Sequence, residues 1–294
     1  MPMQVKVYAK LNLTLKVGAR VGEFHSIDSV ATSVDVCDVV EVVARADKSV
    51  HVSGVVGVEE SHNTAYKAAC AFVEAFSING VDIYVQKGIP FGGGLGGSSA
   101  DAAATLYCMC KLYGVDVDCA KMRVICAKVG SDVSYMLRGG LGRLRGKGDD
   151  VEFFALKQPI FFALTTFEQQ MSSREVYAAF DTVTKAGNDE SQRQCADVNA
   201  KLLTLFANGD NEHALAYFFN DLQRAAMALS DYAEHYLAFT HANGWKSVMT
   251  GSGSAYFIAF TSEAEAQKAV DLLNSHGFST ILCQSTASGI RFEA

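Results

Sequence analysis

Five glycines in six positions, Gly92-Gly93-Gly94-Leu95-Gly96-Gly97, run directly into Ser98 and Ser99. A backbone this bare lets successive N–H groups converge on an anion, and the two hydroxyls add donors. Ala100-Asp101-Ala102-Ala103-Ala104 then opens a strong helix former reaching about Tyr113, and a helix starting here turns the positive end of its dipole toward the loop. The chemistry on offer is a phosphate cradle. A flexible linker is the plain alternative, but linkers are rarely clamped between an apolar strand and an alanine-rich helix. The pattern Gly-x-x-x-x-Gly-Lys-Ser/Thr fails because no lysine follows the glycines. The dinucleotide fingerprint fits only by selecting Gly92, Gly94 and Gly97, and it lacks the acidic residue expected about 20 residues on.

Other elements have to hold such a loop. From Leu11 to Val17 the alternation is strict, with Leu11, Leu13, Leu15 and Val17 against Asn12, Thr14 and Lys16, which predicts a half-buried strand. The same period places Lys10 on the polar face beside Asn12. Asp38–Val43, Val50–Val52 and Val81–Val85 predict further strands, and Asn63–Phe76 is alanine-rich with helical spacing. A helix is expected from Asp118, as N-cap, to Lys128, ended by Gly130. The glycine-rich stretch Gly139 to Gly148 leads into strands around Val151–Phe154 and Ile160–Leu164, which divides the chain near residue 150 into domains 1–150 and 151–294. Beyond it, helices are expected at 173–182, 192–206, 211–228 and 231–242, with strands near Val248 and at Ala255–Phe260. Ser262-Glu263-Ala264-Glu265 reads as a capping box for a last helix ending near Gly277, before a strand at Thr280–Cys283.

The 294 residues are 49% hydrophobic and 19% charged, a globular balance with ample material for a core. Lysine plus arginine is 25 against 32 aspartate plus glutamate, and a net charge of −7 is the wrong sign for a broad nucleic-acid or anionic-membrane surface. No apolar run approaches the roughly 18–20 residues of a membrane span, and Met1 to Lys10 lacks the layout of a signal peptide, so a cytoplasmic protein is expected. Eight cysteines without a C-x-x-C pair read as reduced, mostly buried thiols.

The segment Pro90-Phe91-Gly92-Gly93-Gly94-Leu95-Gly96-Gly97-Ser98-Ser99-Ala100-Asp101-Ala102-Ala103 resembles the signature loop of the GHMP kinases, named for galactokinase, homoserine, mevalonate and phosphomevalonate kinases. Tyr8-Ala9-Lys10-Leu11-Asn12-Leu13 resembles their first motif and Met249-Thr250-Gly251-Ser252-Gly253-Ser254-Ala255 their third, in order along the chain. Within the superfamily, Lys10 to Leu13, Arg20 to His25, Gly130-Ser131-Asp132-Val133 and Asn220-Asp221-Leu222 resemble the branch that phosphorylates 4-diphosphocytidyl-2-C-methyl-D-erythritol in non-mevalonate isoprenoid biosynthesis. This chain departs from that branch in four places. Gly22-Glu23-Phe24-His25 stands for Asp-Gly-Tyr-His, Ser98 for a glycine, Ser134 for a proline, and Gln223 for a glutamate.

The resemblance implies an α+β fold of two domains with the active site in the cleft between them, ATP and Mg2+ as cofactors, and an acceptor carrying a cytidine diphosphate. It makes Asp132 the base that takes the acceptor hydroxyl's proton and Lys10 the cation that orients it. It places Asn63, Lys87 and Pro90 through Ala100 at ATP, and Asn12, Phe24, His25, Ser173 and Tyr177 at the acceptor, with Phe24 and Tyr177 stacking on cytosine and His25 at its edge. Taken singly, each residue has a plainer role. Asp132 is a helix N-cap, Lys10 and Lys87 are solvated lysines, Asn63 is a cap, Phe24 a core side chain, His25 a loop histidine, and Tyr177 part of an apolar stripe with Phe180. Asp101 either stabilises a helix start or meets magnesium through water, and no metal ligand is assigned. The glycines at 251 and 253 are either a hairpin turn or a support for the phosphate loop. Three rival functions remain: a GHMP kinase for another small alcohol such as homoserine or mevalonate, a nucleotide-binding sensor without catalysis, and a nicotinamide-dependent oxidoreductase.

Overall fold

In the computed structural model, which describes residues 2–186 and 198–292, the β-branched run after His25 becomes one strand of 21 residues, β3 (Phe24–Ala44). Its length lets it pair antiparallel with five neighbours: β1 (Met3–Asn12), β2 (Thr14–Val21), β5 (Val81–Gln86), β6 (Leu141–Gly146) and β12 (Ser279–Thr286). Irregularities at Tyr8/Ala9 and Val17/Arg20 bend the flanking strands so that partners can change along its course. The sheet runs on from β12 to β8 (Phe161–Thr166), β11 (Tyr256–Phe260) and β10 (Ser247–Met249), and β13 (Ile290–Phe292) pairs with β1 at the other edge. Three short strands join it: β4 (His51–Ser53) beside β5, β7 (Asp150–Phe154) beside β6, and β9 (Phe219–Asn220) parallel to β2.

Helices α1 (Thr64–Phe76), α2 (Gly97–Tyr113), α3 (Ala120–Val129) and α4 (Val133–Arg138) pack together, with α2 against β1 and β3. Ala100, Ala102, Ala103 and Ala104 are all fully buried, so α2 is enclosed on every side and its small residues let neighbours approach closely. This is why the helix that presents its N-terminus to the glycine loop is so firmly placed. A second core gathers Leu15, Val176, Leu222, Tyr236, Met249 and Tyr256, joining β2 to α5 (Ser173–Ala186), α8 (Gln223–Leu229) and α9 (Glu234–Ala242). The remaining helices are α6 (Val198–Asn208), α7 (Asn211–Leu215) and α10 (Glu263–Ser275). No helix of the described residues is long and apolar enough to cross a membrane.

Several elements differ from expectation for identifiable reasons. The strand read over Leu11–Val17 breaks at Leu13, whose N–H donates to Val30 and whose carbonyl accepts from Phe219. It is buried on both faces, because Thr250 and Asn199 cover the side carrying Asn12 and Thr14. Helix α3 starts after Cys119, since the Asp116 carboxylate accepts the Asp118 N–H in a preceding turn. The stretch Gly139 to Gly148 contains strand β6. The helix expected over 211–228 is two helices separated by β9, which pairs with β2, a tertiary constraint that apolar periodicity does not reveal. Ser262 occupies the N-cap of α10 without a side-chain bond, so no capping box closes, and the helix ends at Ser275. The start of the 192–206 helix and Cys195 lie outside the described residues. Of the other seven cysteines, Cys108, Cys110, Cys126 and Cys283 are buried and Cys37, Cys70 and Cys119 half-buried.

Candidate active site

One cleft of about 1280 Å³ is lined by every residue assigned to catalysis, ATP or the acceptor except Ala100, which is buried inside α2. Its floor is the loop Pro90–Gly96 and the first turn of α2. The loop is held by three backbone hydrogen bonds. Lys10 N–H donates to the Leu95 carbonyl at 3.0 Å, and Ser254 and Ala255 N–H donate to Gly92 and Gly93 at 3.3 and 3.2 Å. Gly94 and Gly96 have φ of +74° and +76°. A Cβ on Gly94 would lie 2.3 Å from the Thr250 carbonyl oxygen, and one on Gly96 2.3 Å from Met136 Cε. Only glycine fits there. Gly97 is less strict, with a Cβ meeting Ile89 Cγ2 at 3.2 Å and no positive φ. The third glycine motif is thus a support for the loop and not a plain turn, and Asn220 fastens it by donating to the Met249 and Gly251 carbonyls at 2.7 and 2.8 Å.

At the junction of loop and sheet, Lys10 Nζ lies 3.3 Å from Asp132 Oδ2 and donates to Asn12 Oδ1 at 2.7 Å. Lys10 is 5% exposed, which removes the reading as a solvated lysine. Asp132 does sit at the N-cap position of α4, but its side chain caps nothing and turns to Lys10 instead. A paired ammonium and carboxylate beside a bare glycine loop can move a proton and stabilise charge at one hydroxyl.

Lys87 is not solvated either. Its ammonium is bound by Asp38 and lies 2.9 Å from Asp101 Oδ2, and the Asp38 carboxylate also accepts the Gly88 and Ile89 N–H groups at 2.7 and 2.8 Å. Burial, with Lys87 opposing it, pushes the Asp101 carboxyl up to about 7. Asn63 caps α1 by accepting from Ala65 N–H, while also lining the cleft. Among the described residues no three His, Cys, Asp or Glu gather to hold a metal. Asp101 Oδ1, buried with no hydrogen-bond partner, fits a hard cation brought by phosphates rather than a protein-built cage.

The far end of the cleft is aromatic. His25 lies flat against Tyr177, with centroids 5.5 Å apart and planes at 20°, and meets Phe180 edge-on. Its Nδ1 lies 3.1 Å from the Gly18 carbonyl oxygen and its Nε2 3.1 Å from Asp181 Oδ1. Phe24 is 55% exposed, so it is no core residue, and Lys147 Nζ lies 4.9 Å from its ring centre. Burial and the Asp132 carboxylate push the Tyr177 hydroxyl up to about 12. Ser173 exchanges a 2.7 Å hydrogen bond with Ser252.

The family model for the GHMP kinases N terminal domain matches residues 63–142. A protein of Exiguobacterium sibiricum named 4-diphosphocytidyl-2-C-methyl-D-erythritol kinase is 31% identical over 273 residues, 91% of this chain and 92% of that one. The chain belongs to the 4-diphosphocytidyl-2-C-methyl-D-erythritol kinase family. A crystal structure of a 4-(cytidine 5'-diphospho)-2C-methyl-D-erythritol kinase superposes with a TM-score of 0.76 at 26% identity, covering 97% of this chain and all of the other. Homoserine kinase from Cytophaga hutchinsonii, with a TM-score of 0.73 at 16% identity over 99% of this chain and 97% of that one, shares the fold. The chain is therefore an ATP-using small-molecule kinase of mixed α and β architecture.

Sequence reading missed Asp38, Asp181 and Lys147 in this kinase site. Asp38 sits inside a strand between a cysteine and a valine, and only the structure shows that its carboxylate is fully buried. Asp181 follows Tyr177 by four residues and so shares its helix face. Lys147 had no local signal.

Proposed function

We propose that the protein transfers the γ-phosphate of ATP to the 2-hydroxyl of 4-diphosphocytidyl-2-C-methyl-D-erythritol in the cytoplasm, in the cleft between segments 1–150 and 151–294. The observation that carries this reading is the 3.3 Å contact of Lys10 with Asp132 beside a glycine loop that tolerates no side chain at Gly94 or Gly96. ATP phosphates lie along the N–H groups of the loop, from Phe91 to Gly97 after Pro90, and the N-terminus of α2, with Ser98 and Ser99 as hydroxyl donors and Asn63 and Lys87 flanking them. Magnesium brought with ATP would neutralise phosphate charge, and Asp101 is the carboxylate placed to meet it through water.

The acceptor hydroxyl lies against Asp132, while Lys10 orients it and stabilises the charge that develops on its oxygen. A carboxylate is a weak base toward an alcohol, so Asp132 takes the proton late, when the oxygen is already bonding to phosphorus. The cytosine is stacked by Phe24 and Tyr177, with His25 at its edge and Asn12 and Ser173 as polar contacts. The open ring of Phe24 supports that placement. Asp132→Asn keeps the shape and removes the proton acceptor. Turnover is expected to fall on the order of 10²–10⁴-fold with ATP affinity nearly unchanged, measured by steady-state ADP release and a separate ATP titration. Near-normal turnover contradicts the assignment.

A further inference from the structure

Beneath Lys10 runs a buried chain of hydrogen bonds whose direction is fixed at each link. Ser29 is fully buried and donates its hydroxyl proton to the Thr14 carbonyl, which can only accept. The Ser29 oxygen is left as an acceptor, and Asn12 Nδ2 donates to it at 2.8 Å. That choice settles the amide. Asn12 Oδ1 is turned to the opposite side, where Lys10 Nζ donates to it at 2.7 Å. The reversed amide would set an NH2 group against the ammonium and an oxygen against a hydroxyl whose proton is already committed.

Thr14, the end of the chain, is itself fixed. Its Oγ1 accepts from Val30 N–H at 2.8 Å and donates to Asn199 Oδ1 at 2.6 Å, and Asn199 Nδ2 donates to the Asp28 carbonyl at 3.1 Å. The Asn12 backbone is held separately, its N–H donating to Thr250 Oγ1 at 3.0 Å. Apart from Lys10 itself, the side-chain amide of Asn12 is therefore held by Ser29 among these partners. Ser29 does not line the cleft.

We infer that Ser29 is a positioning residue for phosphoryl transfer, acting through the Asn12 amide to hold the Lys10 ammonium against Asp132. It touches no substrate. The inference rests on the reading of Lys10 and Asp132 as the catalytic pair, and misplacement of such a group by about 1 Å is enough to cost on the order of a hundredfold in rate.

The test compares wild type, Ser29→Ala, Asn12→Ala, the double variant and Lys10→Met by steady-state ADP release, titrating ATP and the cytidine-diphosphate acceptor separately. Ser29→Ala is expected to lower kcat by tens to about a hundredfold, with both KM values within about twofold of wild type. The double variant is expected to be no slower than Asn12→Ala, because Ser29 has nothing left to orient. A wild-type kcat in Ser29→Ala, or losses that multiply in the double variant, overturns the inference. Ser29→Cys keeps the volume with a weaker acceptor and replaces Ser29→Ala if that variant fails to fold. Its kcat is then expected to drop at an unchanged thermal midpoint, and an unchanged kcat counts against the proposal. Lys10→Met separates the two claims. Full turnover there overturns the catalytic pair and Ser29's role together, whereas a dead Lys10→Met beside a fully active Ser29→Ala overturns only the role of Ser29.

Discussion

Phe24 and Tyr177 illustrate how a residue's exposure changes its meaning. A phenylalanine after glycine and glutamate reads as core by type, yet more than half of its surface is open, at the end of the cleft where the tyrosine and His25 gather. If the base stacks here, Phe24→Ala should lose roughly 1–3 kcal/mol of acceptor binding, while Phe24→Tyr should be nearly neutral. Tyr177→Ala should lose a similar amount. The two losses should not add, because one open face already admits water to the base. Calorimetric titration with the acceptor in the absence of ATP reads both, and affinities within error of wild type for the two alanine variants contradict the stacking.

At the scale of elements, the glycine loop was legible because its composition, its flanking strand and its helix all agree with one geometry. Structure adds which glycines carry it. Gly96→Val drives a side chain into Met136 Cε and Lys10 Cγ at a left-handed φ, so it should weaken ATP binding much more than acceptor binding, whereas Gly97→Ala should be milder. Equal losses for both ligands in separate titrations mean that the loop is only structural. The Asp38–Lys87–Asp101 cluster was not legible, since its members come from a strand, the loop's approach and a helix 63 positions after the first. The ordinary propensity signals along those segments say nothing of their meeting. The same limitation concealed the break in the 211–228 helix, where Phe219 and Asn220 leave helical form to pair with β2 and to hold the Gly251 loop.

That cluster also has a pH signature. Burial raises the folded-state affinity of Asp101 for its proton, to about 7 against 3.8 unpaired, so the unfolded chain ionises this carboxyl first as pH rises. The resulting contribution to stability is complete below about 3.8 and is lost as pH climbs toward 7. Asp101→Asn cannot ionise. The stability of wild type relative to Asp101→Asn should therefore decline between pH 4 and 7 and level off above, as read by chemical denaturation at a series of pH values. A difference that stays flat or rises contradicts the buried-carboxyl account.

Over the whole molecule, strands and loops from the second half complete a site whose signature lies in the first. β9 pairs with β2, Asn220 fastens the Thr250–Ser254 loop, and that loop braces Gly92 to Gly94 and the Asn12 backbone. The three motifs could be ordered from sequence, but their convergence depends on long-range pairing of β12 and β13 with the N-terminal strands, which no local pattern encodes. Family membership makes the chain a small-molecule kinase, and on the proposed reading the aromatic end of the cleft selects among acceptors. The most direct measurement is coupled ADP release by the purified protein with ATP and magnesium, offering 4-diphosphocytidyl-2-C-methyl-D-erythritol, homoserine and mevalonate in parallel. The account predicts turnover with the cytidine-diphosphate acceptor and none above background with the two aliphatic alcohols, which have no base to stack. Turnover with homoserine or mevalonate and none with the cytidine-diphosphate acceptor would contradict it.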